Sequence, residues 1–130
     1  MRWTRTKNKY HAKKTVREGQ MFDSKREAKR YTELMLLQRA GKISNLRTQV
    51  EYELIPAQRE PDTVGARGGI KRGKVIERAV KYVADFVYVD ENGTEIVEDA
   101  KGYKDGQAYA VFVIKRKLML YIHHIHVKEV

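Results

Sequence analysis

RAVKYVADFVYVDENGTEIVEDAKG, residues 78–102, holds two runs rich in β-branched and aromatic residues on either side of Asn92-Gly93. Asn-Gly between such runs is a strong hairpin marker, so the stretch predicts antiparallel strands over Ala79–Val89 and Glu95–Lys101. A three-residue loop, Glu91-Asn92-Gly93 with its glycine left-handed, gives partners whose numbers add to 184. Asp85 then stands opposite Asp99, Val87 opposite Val97 and Tyr88 opposite Ile96. A two-residue Asn92-Gly93 loop would shift the register by one and send the aspartates to opposite faces.

Opposed residues share a face with Cβ atoms about 4.5–5.5 Å apart, and like charges held that close are destabilising unless compensated. A divalent cation is the simplest compensation for two carboxylates at the end of a valine-lined strip, and oxygen donors suit Mg²⁺ or Mn²⁺. Lys101 shares the parity of Asp99, so its ammonium emerges on the same face, where it can hold a water or stabilise charge on a phosphate. Glu98 has the opposite parity and points away from Lys101.

Upstream, DSKREAKRYTELMLLQRAGK predicts a helix from Lys25 to Ala40, capped by Ser24, with Ala28, Tyr31, Leu34, Met35 and Leu37 on its apolar side and Gly41 at its end. Glu27 lies along that side in the first turn, within reach of the aspartates. Ser24-x-x-Glu27 is equally a capping box, and spacing alone leaves both roles open. QVEYELI, Gln49 to Ile55, alternates as a strand ended by Pro56. The segment between Pro56 and Val75 reads as a long basic loop. Downstream, AYAVFVIKRKLMLYI predicts a helix with apolar positions 111, 114, 118, 121 and 122, and HHIHVKEV a short final strand. TVREGQMF at 15–22 predicts a small hairpin turning at Glu18-Gly19. The order is a hairpin followed by αβββαβ, an α/β (α+β) fold with a mixed central sheet flanked by helices.

Composition sets the partner class. The 130 residues carry 27 Lys and Arg against 17 Asp and Glu, a net charge of +10, which calls for an anionic partner, and nucleic acid fits better than a membrane surface because no basic amphipathic lipid helix stands out. Arg2, Arg5, Lys7, Lys9, Lys13 and Lys14, interleaved with Trp3 and Tyr10, read as an arm for phosphates and base stacking. Arg67, Lys71, Arg72 and Lys74 in the loop, and Lys115 and Lys117 on the last helix, are further phosphate candidates. The absence of cysteine excludes disulfides and thiolate metal sites. His123, His124 and His126 read as a polar edge, since one strand presents at most two of them on a face. No phosphate-binding P-loop is present, so no nucleotide cofactor is expected. Neither a secretory signal nor a membrane span is expected, and the cytosol is the expected location.

DSKREAKRYTEL, YVADF and VEDAKG follow in the order helix glutamate, strand aspartate, strand D-x-K. That order resembles the PD-(D/E)xK nuclease superfamily, most closely small phage-encoded members likened to Holliday-junction resolvases, over Thr15 to the C-terminus. The proline of the motif's name is replaced by Ala84. The resemblance implies a restriction-endonuclease-like core in which Glu27, Asp85 and Asp99 ligate or orient Mg²⁺, the Ala100 carbonyl completes the shell and Lys101 assists the attacking water. It further implies a magnesium-dependent endonuclease for branched DNA in phage or mobile-element recombination or replication. The alternative is a basic nucleic-acid-binding protein of a replication complex that has the fold without catalysis. A single site per chain and paired cuts in a four-way junction imply a twofold homodimer.

Overall fold

The computed structural model describes residues 15–17, 20–22, 24–102 and 104–130. The basic residues Arg2, Arg5, Lys7, Lys9, Lys13 and Lys14 and the turn at Glu18-Gly19 lie outside the described residues. Strands β1 (Thr15–Arg17) and β2 (Gln20–Phe22) pair antiparallel as the predicted hairpin. Helix α1 spans Lys25–Arg39, with Ser24 accepting from the Glu27 amide at 3.1 Å at its start and Gly41 at φ 75° beyond its end.

The centre is a four-stranded sheet built from β3 (Ser44–Ile55), β8 (Val80–Val89), β9 (Glu95–Asp99) and β10 (Lys128–Glu129), in the order β10-β9-β8-β3. β3–β8 and β8–β9 are antiparallel and β9–β10 is parallel, so the sheet is mixed. The β8–β9 register is the one the three-residue loop demands: Val89 faces Glu95, Tyr88 faces Ile96, Val87 faces Val97 and Phe86 faces Glu98. Asp90 organises the turn, its carboxylate accepting from the Asn92 and Thr94 amides at 2.9 Å each, and Gly93 sits at φ 80°. β9 closes at Asp99, which leaves Lys101 just past the strand.

Helix α2 (Gly106–His123) covers the face opposite α1. Ala28, Tyr31 and Leu34 of α1 pack with Ile43, Phe86 and Tyr88, whereas Phe112 and Met119 of α2 pack with Leu54, Tyr82, Ala84, Val87, Val97 and Val127. Phe86 and Val87, adjacent on β8, thus serve different cores, as alternation requires. Tyr82 and Ala84 break that alternation, since they lie on the same side as Val87. Their partners on β3 break it in step: Thr48 pairs with Phe86 and Val50 with Ala84. Both strands turn over at Gln49 and Asp85, and Gln49 takes the left-handed backbone, φ 52°, that makes this possible.

Four expectations are corrected. β3 starts at Ser44 rather than Gln49, through a bulge with Asn45 at φ 53° that no alternation pattern betrays. The segment 57–74 is not a loop. It carries β4 (Gln58–Arg59), β5 (Thr63–Val64) and β6 (Ile70–Lys71) and leads into β7 (Val75–Glu77), with β4 paired to β7 and β5 to β6. Their partner numbers add to 134 or 135, as in the β3–β8 ladder, so Ser44–Val89 is one long hairpin with a protruding arm. On α2 the buried residues are Phe112 and Met119, while Val111, Ile114, Tyr121 and Ile122 face outward; the helix is apolar almost all round, which hides its inner face. His123 ends α2 and His124 caps it at φ 58°, so the final strand is only Lys128–Glu129. Among the described residues no helix is long and apolar enough to cross a membrane.

The orientation of α2 is open to a direct test by urea unfolding at protein concentrations too low for self-association. Met119→Ala, at a fully buried position, should cost about 2–5 kcal/mol. Ile114→Ala, at a position 59% exposed, should stay within about 0.5 kcal/mol.

Candidate active site

The turnover of β3 and β8 places three carboxylates around the end of the β8–β9 hairpin. Glu27 is buried in the first turn of α1, and its Oε1 accepts from Gln49 Nε2 at 2.8 Å. The same amide nitrogen lies 3.5 Å from Asp85 Oδ1. The other oxygen of Asp85, Oδ2, accepts from the Ala100 amide at 2.8 Å. Ser24 does cap the helix, yet the glutamate carboxylate is turned into the protein toward Gln49 and Asp85. Ala100 meets Asp85 through its N–H.

Asp99 is held from two sides. Tyr82 donates its phenolic proton to Oδ2 at 2.6 Å, and Lys101 Nζ lies 2.9 Å from Oδ1. The Lys101 ammonium also sits 4.2 Å above the Phe112 ring, a cation–π contact that fixes its direction. Burial, followed by the charge of Asp99, keeps the Tyr82 phenol protonated far above its ordinary range, so it remains a donor. Glu98, beside Asp99 on the strand, faces the other way into a bidentate pair with Arg30, at 2.9 and 2.6 Å to Oε1. The adjacent acids have therefore separated: Glu98 is locked against α1 and Asp99 is directed to the side of Lys101.

Asp85 is the unusual group. Its carboxyl is pushed up to about 8, first by burial, then by the charge of Asp99 and the bond with Glu27, against the lowering pull of the Ala100 amide. The neighbours that push it up are two acids. A shallow cavity of about 260 Å³ opens beside Asp99, lined also by Tyr82, Lys101, Phe112 and Lys115. Lys117, two residues further round the helix, is exposed and does not line it. Arg67, Lys71, Arg72 and Lys74 are exposed on the arm, away from this cluster in sequence and in pairing. The larger cleft, about 630 Å³, lies between β9 and residues 124–129 and contains none of the four candidates. His124 and His126 line it, while His123 contacts the Glu53 carbonyl oxygen at 2.7 Å.

Among the described residues no three His, Cys, Asp or Glu side chains are gathered as a ready metal cluster. The donor set nonetheless fits a hard divalent cation: every donor is an oxygen, and among the described residues no ion pair reaches Asp85. At Asp99 a positive charge is supplied by Lys101. Gln49, Tyr82, Arg30 and Phe112 are the residues that spacing did not reveal. A buried acid such as Glu98 is a signal that an arginine must be sought on the facing helix, but nothing local marks Gln49 or Tyr82.

The family described as Protein of unknown function (DUF1064) matches residues 7–129, and the chain belongs to it. No curated protein and no solved structure matches the chain.

Between 3.8 and about 8 the folded protein holds a proton on Asp85 that the unfolded chain has released, so the group costs stability as pH rises through that window. Asp85→Asn should therefore stabilise the protein in EDTA at pH 9, on the order of 2 kcal/mol, and change little at pH 4. Chemical unfolding at the two pH values checks it.

Proposed function

We propose that this protein is a magnesium-dependent DNA endonuclease of the PD-(D/E)xK type, acting on branched DNA. The observation that carries the reading is Asp85, a half-buried carboxylate pressed by Asp99 and Glu27 with no ion pair to it among the described residues, beside an Asp99–Lys101 pair at an open cavity. Structural acids are normally neutralised by a partner, as Glu98 is by Arg30. A site that sets Asp85 against two further acids, with no ion pair to it among the described residues, is suited to a cation from solution.

In this reading Asp85, Asp99 and Glu27 would hold Mg²⁺ or Mn²⁺, which would supply charge neutralisation at the phosphodiester and a more acidic water. Tyr82 fixes the rotamer of Asp99, and Gln49 holds Glu27 toward Asp85. Lys101, steadied over Phe112, carries the ammonium that orients the water or meets charge developing on the phosphate. Lys115, on the cavity wall, binds the phosphate as it enters. The basic surface supplies affinity through the DNA backbone.

Branched DNA requires two cuts, and one chain carries one such site, so the working form is a twofold dimer. The outward row of α2, with Ile114 59% and Tyr121 81% exposed, is the apolar surface such a dimer would bury.

Purified protein incubated with four-way junction, flap, linear duplex, single strand and RNA should cut junctions in Mg²⁺ and nothing in EDTA. Asp85→Asn, Asp99→Asn and Lys101→Ala should each lose at least a hundredfold in rate with DNA binding retained. Glu27→Gln should do the same with little loss of stability, because the Ser24 cap remains. Cutting by both aspartate variants at the wild-type rate would reject the site. Light scattering should give twice the mass of one chain, and Ile114→Glu/Tyr121→Glu should reduce it to one; a single copy bound per junction would reject the dimer while leaving the nuclease standing.

A further inference from the structure

The arm formed by β4 to β7 leaves the body entirely. Every non-glycine residue from Pro56 to Arg78 is exposed, so no side chain in it contributes to either core. The arm is nevertheless well bonded. The Glu60 amide donates to the Lys74 carbonyl at 2.9 Å and the Gly65 amide to the Gly69 carbonyl at 2.7 Å. Asp62 accepts from the Gly73 amide at 2.9 Å, and Arg59 donates to the Gly73 carbonyl at 3.0 Å. The two strands approach so closely there that a Cβ on Gly73 would stand 1.8 Å from the Glu60 carbonyl oxygen, which only glycine avoids.

At the end of this arm Val64 pairs with Ile70, and the two are 77% and 81% exposed. Opposed residues share a face, so they form one aliphatic knob. Arg72 and Lys74 follow toward the body, Lys71 lies on the other face beside Thr63, and Arg67 sits in the terminal turn. The acid nearest the knob, Asp62, is engaged by the Gly73 amide.

Two large aliphatic side chains at the tip of the ribbon, more exposed than Val75 (44%) and Ile76 (62%) nearer its base, gain nothing from this chain's own packing. The four cations around them select an anionic partner, and the knob requires that partner to be apolar just beneath its charged surface. Stacked bases under a phosphate backbone combine the two, and apolar wedges flanked by arginine and lysine enter DNA at steps that unstack easily. A two-stranded ribbon also has the width that a groove admits. We propose that Val64 and Ile70 form a wedge that enters DNA at an unstacked step, with Arg67, Lys71, Arg72 and Lys74 on the flanking phosphates. The inference rests on DNA being the partner in the nuclease reading and is independent of whether the DNA is cut.

The test uses the full chain in EDTA, with 2-aminopurine placed beside the branch of a four-way junction and, separately, along a linear duplex. Wild-type protein should raise the fluorescence at one or two positions as the probe base loses its neighbour. Val64→Thr/Ile70→Thr keeps β-branching, and with it strand propensity, and should cut that rise at least fivefold while weakening Kd less than threefold. Arg72→Ala/Lys74→Ala should instead keep the rise at saturation and lower the slope of log K against log salt by about 2. The melting temperature of both variants should equal that of the wild type.

A rise that survives Val64→Thr/Ile70→Thr, bound DNA without any rise, or no DNA binding at all would overturn the wedge. So would a lower melting temperature, which would show the pair packed within the protein, or a changed mass without DNA, which would make it a contact between copies. A rise without magnesium-dependent cutting rejects the nuclease and keeps the wedge; cutting without a rise does the reverse.

Discussion

The arrangement of the candidate site depends on one backbone torsion. Gln49 adopts φ 52°, a conformation that costs a non-glycine residue roughly 1–2 kcal/mol, and it does so in the middle of the edge strand β3, where the packing on both faces must hold it. The anchors are the two cores: Val50 and Ala84 on one side of the turnover, Thr48 and Phe86 on the other, paired in one unbroken register. With ordinary alternation throughout, Tyr82 and Val87 could not lie on the same face. Tyr82 would then not reach Asp99, and Asp85 would not meet the amide of Ala100 while leaning on Glu27. The strain sits where the acids converge, which is where a cost in stability is usually tied to a task.

A second constraint is the separation of Glu98 and Asp99. Glu98 is fully buried, and its pair with Arg30 makes that burial tolerable without making it a large source of stability. Its effect is to fix the rotation of the strand relative to α1. Because Arg30 lies one turn after Glu27, the contact that anchors Glu98 also positions the helix terminus that presents Glu27. The acid paired with Arg30 is structural support for the acids of the candidate site.

The hairpin of residues 78–102 was legible because its signals are local: Asn92-Gly93, two β-rich runs, and a loop length that sets the partners. The first helix was legible for the same reason, from Ser24 to Gly41. What escaped was non-local or symmetric. A strand in which both Tyr82, Ala84 and Phe86, Tyr88 are apolar shows no break in pattern when it turns over, so neither the turnover nor the proximity of Tyr82 to Asp99 could be read. The last helix is apolar on most of its circumference, and the choice of Met119 over Ile114 for the inside is made by the sheet, not by the helix. The arm reads as a loop in sequence because its strands are only two or three residues long and separated by glycines, and their pairing follows from the β3–β8 ladder further down.

The turn at Asp90–Thr94 lies at the far end of the hairpin from the acids, yet its length works like a reading frame. Every residue inserted or removed there would advance one strand against the other by a step, and the step exchanges which of two neighbouring acids looks toward Tyr82 and which toward Arg30. The two carboxylates are chemically near-equivalent, so their identities reside in phase rather than in kind. A lineage carrying this hairpin can alter the loop's surface chemistry freely, but not its count, without trading the strut for the ligand.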